Sequence, residues 1–460
     1  MPAPHVLHGL PAPLWQLVEQ IGALAGQRHI RAALVGGVVR DLLFGLPLPP
    51  DEELDVLVEG DGPAFAGLLA RELHGSLREH AAFLTARVDW TEADGTARHM
   101  DVATARAERY LSPGALPLVS PAPLEQDLAR RDFTINAMAI RIDPPHTGQL
   151  LDPFAGRRDL AARQLRVLHG RSFEDDPTRM FRAARFAARY GLELDATSLA
   201  QLTRALPTLH RVSGARIRHE LALVATERDP AAGLARLDAW SVLAAIHPLL
   251  TADAAKRDLV HRIFEPALQP WRAAADPFLL VACALLYDRP AGTLTYLGQR
   301  IGLSAPELKR CSKTATALAA CTATLSKQQP RLSALYTHLA SLPPEGLCLL
   351  AAMGGDASRQ RMKNALERGG TVPLSGGDLL ALGVPSGITC GRILQHLRTA
   401  WIDGLVHDRD GLVELARQYA CGTLSDDASR TALQGLHPDR LPCTKKDTVY
   451  NGQWPRGTEK

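Results

Sequence analysis

No two cysteines in this 460-residue sequence have the C-x-x-C spacing of a zinc or redox site, and none lies in a histidine-rich cluster. Cys283, Cys311, Cys321, Cys348, Cys390, Cys421 and Cys443 are widely spaced, all fall in the second half, and read as reduced thiols. A targeting signal is missing as well. Residues 1–16 hold scattered prolines and two histidines, without a basic start or an apolar run of signal-peptide length. No later stretch suits a bilayer span, so the expectation is a cytoplasmic protein with no membrane partner. A strong charge bias is also absent. With 52 Lys+Arg against 49 Asp+Glu, the net charge of +3 is too small to diagnose nucleic-acid binding. A phosphate-binding surface must therefore come from local clusters of arginine. No repeat of fixed period is found.

The sequence does contain enough chain for two to four structural units, and its 46% hydrophobic content is that of an ordinary globular protein. Short apolar runs at 32–35, 54–58 and 99–103 alternate with helical signals, which indicates an α/β unit over the first 160 residues. Beyond residue 160 the β signal fades. Segments 177–190, 216–226 and 230–245 space their apolar residues by three and four, as amphipathic helices do. Breaks near Gly170, Gly191, Pro207, Pro270, Pro343 and Pro373 punctuate a mostly helical remainder. After Cys421 the periodicity is lost, and a loosely ordered tail is expected.

Five clusters in this frame carry chemistry. In Leu34-Val-Gly-Gly-Val-Val-Arg-Asp41, Gly36 and Gly37 sit between an apolar strand and a helix start. Glycine lets the backbone approach a phosphate, and the free amides of a helix N-terminus attract an anion. Arg40 can add a charge-assisted contact while Asp41 orients it or caps a local turn, although a tight turn with a surface arginine explains the block equally well. In Glu53-Leu-Asp55, residues two apart on a strand share a face, so two carboxylates stand side by side. They repel each other unless cations lie between them, which suits magnesium; a solvated strand end is the commoner origin of an isolated pair. Asp101 completes a three-acid cluster able to hold two metals if its strand pairs beside the first.

The fourth cluster spans 130–137, where Arg131 suits phosphate and Asp132 with Asn136 suits ribose hydroxyls. A capped helix with buried Phe133 and Ile135 is the plain alternative. The fifth opens a helix at 175–185: Asp176 is expected to cap it, with Pro177 in its first turn. Arg179, Arg182 and Arg185 recur every three residues on one face, which ordinarily marks a solvated basic helix. In a functional reading, Asp176 and Arg179 supply an acceptor and a forked donor for a base edge, and the other arginines face phosphate.

In this order and spacing, together with Leu151-Asp-Pro-Phe-Ala-Gly-Arg-Arg-Asp159, these blocks resemble the class II tRNA nucleotidyltransferase and bacterial poly(A) polymerase family over about residues 30 to 195. The resemblance implies an α+β fold. A head with a mixed five-stranded sheet (1–160) is followed by a helical neck carrying the base-recognition motif (161–230), a helical body (231–370), a helical tail (371–421) and a loose extension (422–460). It implies that an RNA 3′-hydroxyl attacks the α-phosphate of CTP or ATP without a template, with tRNA as the RNA partner. Glu53, Asp55 and Asp101 would be catalytic, with Glu53 and Asp55 holding two Mg2+ ions. Gly36, Gly37 and Arg40 would hold the triphosphate, Arg131, Asp132 and Asn136 the ribose region, and Asp176 with Arg179 the base, with Arg182 and Arg185 beside them. The segment 374–404 looks like the tail that meets the RNA backbone, and 106–127 like the segment that moves the family from C to A addition.

Two positions depart from the family pattern: Glu53 replaces the usual aspartate, and Asp175 the usual glutamate. A His-Asp phosphohydrolase signature is absent from the helical half. Partial enzymes adding only CC or only A, a poly(A) polymerase, and a tRNA-binding protein without catalysis stay open as alternatives. Oligomeric state is not legible.

Overall fold

The computed structural model describes residues 4–92, 94–109, 118–325, 331–370 and 372–420. The expected extension over 422–460 and the middle of the 106–127 segment lie outside them. Helix α1 (Ala12–Gln27) has a proline in its first turn and buries Leu14, Val18, Ile21 and Ala25, one stripe at helical spacing. Strand β1 (Ala32–Val35) follows, then α2 (Gly37–Phe44), β2 (Leu54–Val58) and α3 (Gly62–Glu72), whose N-terminus is capped by Asp61 accepting from the Ala64 amide. The chain continues through β3 (Ser76–His80), β4 (Thr85–Thr91), β5 (Ala97–Thr104), the antiparallel β6–β7 hairpin (Arg106–Arg109, Leu118–Pro121), α4 (Leu124–Ala129), β8 (Ala139–Arg141) and β9 (Leu150–Leu151).

The main sheet runs β3-β4-β5-β2-β1-β8-β9. It is mixed, with β2 and β5 parallel and the other pairs antiparallel, but it has seven strands rather than the expected five. Its two outer strands gave no period to read: β9 is two residues long, and β3 is almost wholly exposed. Along β5, Met100 and Val102 point into the core while Asp101 points the other way, as a pleat requires. On that other face Ala33, Val35, Leu57 and Ala139 pack under Leu124 and Leu128 of α4. Each buried leucine contributes roughly 1.5–3 kcal/mol. Asp55 lies one strand position-pair before Leu57, where the strand emerges from this cover.

Helix α5 (Arg179–Tyr190) begins two residues later than expected. Thr178 stands at its N-cap and no side chain makes a capping bond there, so Asp176 does not cap it, and Gly191 in the left-handed region ends it. The predicted 216–226 helix is α6 (Gly214–Ala225), capped by Ser213. The predicted 230–245 helix is two, Pro230–Ala239 and Val242–Ile246, because Ser241 adopts φ 60 between them. The chain divides into two compact units, 1–316 with 343–353, and 317–342 with 354 onward, a division that falls inside the span expected to form one body. In the first unit, helix Pro277–Leu286 is buried from Phe278 to Leu286. The second has its own core of Leu374, Leu379, Ile393, Leu397 and Leu412, and its Gly376–Ala381 helix opens with a Ser375–Asp378 capping box.

Candidate active site

Strand register builds the acidic end of the site. Val35 of β1 pairs with Asp55, Asp55 pairs with Asp101, and Asp101 pairs with Arg87. Immediately after β1 the chain turns at Gly36, with φ 76, and a Cβ there would stand 2.8 Å from Asp55 Oδ2. Only glycine permits that backbone so close to the carboxylate. Asp55 is exposed to solvent and lines a cleft. Loss of hydration pushes its carboxyl up to about 6; the Arg131 cation opposes the rise, and the charges of Asp101 and Glu53 add to it.

The other two acids share that sheet face but engage different neighbours. Glu53 Oε1 lies 2.6 Å from His99 Nε2, along a separate hollow, and Glu53 Oε2 lies 3.9 Å from Arg87. Asp101 Oδ1 lies 3.4 Å from Arg87 Nε. Among the described residues no three acidic, histidine or cysteine side chains form a ready metal cage. The backbone therefore brings the carboxylates onto adjacent positions, while two of the side chains are engaged by His99 and Arg87.

A cleft of about 720 Å³ opens beside Asp55. Gly36, Gly37, Arg40, Arg131, Asp132, Asn136, Asp176, Arg179 and Arg182 line it, whereas Glu53, Asp101 and Arg185 do not. Arg40 is 5% exposed and its donors point into the protein: Nε to Asp41 Oδ1 at 2.9 Å, Nη1 to Asn136 Oδ1 at 2.8 Å, and Nη2 to Asp41 Oδ2 and the Tyr190 hydroxyl. Asp41 thus orients Arg40, and the guanidinium also lies 4.4 Å from the Tyr190 ring centre. Asp132 accepts from the Phe133 amide, from Asn136 Nδ2 at 3.0 Å and from Arg182 Nε at 2.8 Å. Burial opposes its charge, but Arg182 and the Asn136 bond outweigh that and hold the carboxyl below its ordinary range.

The arginines of α5 do not form a solvated stripe. Arg179 is buried, donating to Ser172 Oγ at 2.6 Å and to the Arg130 carbonyl at 2.9 Å. Arg182 pairs with Asp132, and Arg185 lies 3.6 Å from Glu227. Arg40, Arg182 and Arg185 all pack within 5.6 Å of the Phe186 ring centre. Asp176, instead of capping, accepts from Thr178 and from Arg216 Nη2 at 2.7 Å. Sequence reasoning missed Glu108, Thr178, Phe186, Arg216, His219 and Glu220, which also line the cleft. Arg216, His219 and Glu220 belong to a helix whose own sequence gives no sign of facing the site.

Residues 32–166 match the family model described as the Poly A polymerase head domain. An A-adding tRNA nucleotidyltransferase of Halalkalibacterium halodurans is 32% identical over 437 residues, covering 90% of this chain and 94% of the relative. The chain belongs to the class II tRNA nucleotidyltransferase family. A second member, the CC-adding tRNA nucleotidyltransferase of Deinococcus radiodurans, is 32% identical over 390 residues, covering 84% of this chain and 89% of its own. An apo CCA-adding enzyme superposes with a TM-score of 0.80 at 29% identity, over 90% of this chain and 98% of that one. The Thermotoga maritima CCA-adding enzyme complexed with tRNA gives 0.74 at 27% identity, over 91% and 98%. The head-domain match holds the Gly36 turn, the three acids and Arg131 to Asn136; Asp176 and Arg179 lie beyond it. Among the described residues no helix is long and apolar enough to cross a membrane.

Proposed function

We propose that this family member is a cytoplasmic enzyme that transfers CMP and AMP from CTP and ATP to the 3′ end of tRNA, choosing each base with side chains rather than a template. The carrying observation is geometric. Asp55, paired in register with Asp101, lines a cleft that Asp176 and Arg179 also line. A triphosphate lying across that cleft would have its α-phosphate by the acids and its base by the pair. The tRNA 3′-oxygen forms the new bond to the α-phosphorus, the α–β P–O bond breaks, and pyrophosphate leaves.

The acids suit a hard divalent cation. They are all oxygen donors on one sheet face, and their mutual repulsion adds to the raised Asp55 carboxyl, a charge conflict that a cation relieves. When bound, two Mg2+ ions would lower the pKa of the attacking hydroxyl and neutralise charge on the phosphates. Asp55 and Glu53 would hold them with support from Asp101, and Glu53 would exchange His99 for metal. Gly36 and Gly37 give the triphosphate backbone amides at the α2 N-terminus, and Arg131 a cation. Arg40 and Asn136 fix the wall behind it, and Asp132 holds Arg182. Arg185 would act indirectly, through Phe186.

The test offers tRNAs ending before CCA, after C and after CC, each with CTP or ATP alone, and sizes products to the nucleotide. The reading predicts addition of C to the first two and of A to the third. A-only addition is the second reading, favoured by the A-adding relative that matches 90% of the chain; it would show as ATP use on the third tRNA and no use of CTP. Unlimited A addition would mark a poly(A) polymerase, and binding without any addition would overturn catalysis.

A further inference from the structure

Asp176 reaches the cleft with one of its two oxygens already committed. Its Oδ1 accepts from the Thr178 amide at 3.2 Å, from Thr178 Oγ1 at 2.8 Å and from Arg216 Nη2 at 2.7 Å. Among the described residues no donor takes Oδ2. Thr178 belongs to the same turn as Asp176, so its bonds are local and follow the carboxylate. Arg216 is different: it arrives from α6, 40 positions along the chain, and its own backbone amide is tied to the Ser213 cap at 3.4 Å. Arg179 is fixed comparably, by Ser172 and the Arg130 carbonyl. Both proposed base-reading groups are therefore held from behind by protein partners.

We propose that Arg216 is a positioning residue that sets which nucleotides the cleft accepts, by pinning Asp176 Oδ1 so that Oδ2 alone meets the base as a pure acceptor. The inference rests on the reading of Asp176 and Arg179 as the base-recognising pair. At the matching place on the pairing edge, cytosine carries N4–H2 and adenine N6–H2, both donors, whereas guanine O6 and uracil O4 are acceptors. A fixed carboxylate oxygen accepts from the first two and repels the lone pairs of the second two. Discrimination of this kind depends on the oxygen not turning aside. With Thr178 as its only anchor the carboxylate can rotate, and a misplacement of about 1 Å costs on the order of 10²-fold in rate.

Arg216 also lines the cleft, so a direct phosphate contact is the competing role. The two roles have different kinetic signatures. Loss of a phosphate contact weakens all four nucleoside triphosphates alike, because all carry the same triphosphate. Loss of a positioning residue changes the ratio between them.

The experiment measures kcat and KM for single additions of CTP, ATP, UTP and GTP to tRNAs ending before CCA and after CC, with the full-length wild type, Arg216→Gln and Arg216→Lys, each checked by thermal melting. The inference predicts that Arg216→Gln loses roughly 10- to 100-fold in kcat/KM for CTP and ATP. UTP and GTP should change far less, so the selectivity ratio narrows by about tenfold or more, and Arg216→Lys should recover part of it. An equal fall for all four nucleotides, with the ratio intact, would overturn the inference and leave the proposed function standing. Wild type adding no nucleotide would overturn both. If Arg216→Gln does not fold, the ratio in Arg216→Lys decides: an unchanged ratio counts against positioning, a narrowed one for it.

Discussion

Gly36 and Asp55 constrain each other sterically. A methyl group at Gly36 would stand 2.8 Å from Asp55 Oδ2, on a backbone with φ 76 and ψ −138 that costs an L-residue roughly 1–3 kcal/mol. Gly36→Ala should therefore lower kcat by about 10²-fold through displacement of the carboxylate, while melting falls only a few degrees. Steady-state extension assays beside melting curves check this; near-normal kcat would mean the turn does not set the position of Asp55. Asp55 itself carries a conflict between function and stability. Its carboxylate faces Glu53 and Asp101 with only Arg131 in compensation. In chelator-treated protein Asp55→Asn should raise the melting temperature by about 1–3 °C, as removal of a strained functional charge commonly does. A fall in melting temperature would show that the charge is already balanced by groups of the protein.

Helix α5 links the two ends of the cleft. Its first residue, Arg179, donates to the Arg130 carbonyl, its middle holds Asp132 through Arg182, and its last residue, Tyr190, bonds Arg40 of α2. Arg182→Met leaves the Asp132 carboxylate buried without its main partner. Because Arg182 is 35% open to solvent, the cost should be about 2–3 kcal/mol, below that of a fully buried pair. Tyr190→Phe keeps the ring and loses one hydroxyl, for about 1 kcal/mol. Denaturant unfolding measures both, and reversal of that order would contradict the assigned hierarchy. The existence of α5 was legible in the sequence, from its three-residue spacing and the Gly191 stop. The direction of its arginines was not, because Asp132, Ser172 and Glu227 come from elsewhere in the fold. The same limit applies to the sheet. Strands β1, β2 and β5 announced themselves as apolar runs, while β8 and β9, at three and two residues, are too short to show a period. Asp176 was misread as a cap because its type and place fit one, although a tertiary partner, Arg216, claims it.

At the scale of the first compact unit, the Arg218–Glu307 fork ties α6, which carries Arg216, to the first turn of the helix Ala305–Leu325. Hydrogen bonds from Arg218, opposed by partial burial and joined by Ser304, hold the Glu307 carboxyl down at about 2, against an ordinary 4.5. A depressed carboxyl stabilises the fold fully above its unfolded value and loses that contribution as pH falls through the folded one. Glu307→Gln should melt a few degrees below wild type at pH 7, and the gap should close between about pH 4.5 and pH 2. A gap independent of pH would assign the difference to packing rather than charge. The acids, the Gly-Gly turn and the proposed base-reading pair could be singled out in the sequence because their spacing is local. That Asp55, Gly36, Asp176 and Arg179 line one cleft, while Glu53 and Asp101 do not, could not be read there, since it depends on sheet register and on tertiary packing.

In the proposed function, carboxylates in register on β2 and β5 drive nucleotide addition to tRNA. The most direct measurement is single-turnover extension of a tRNA ending before CCA, with CTP and Mg2+, by wild type and Asp55→Ala, with tRNA affinity determined on the same samples. The extension rate should fall by at least about 10³-fold in Asp55→Ala, with tRNA affinity changed less than about threefold. Extension by Asp55→Ala within about tenfold of wild type would contradict it.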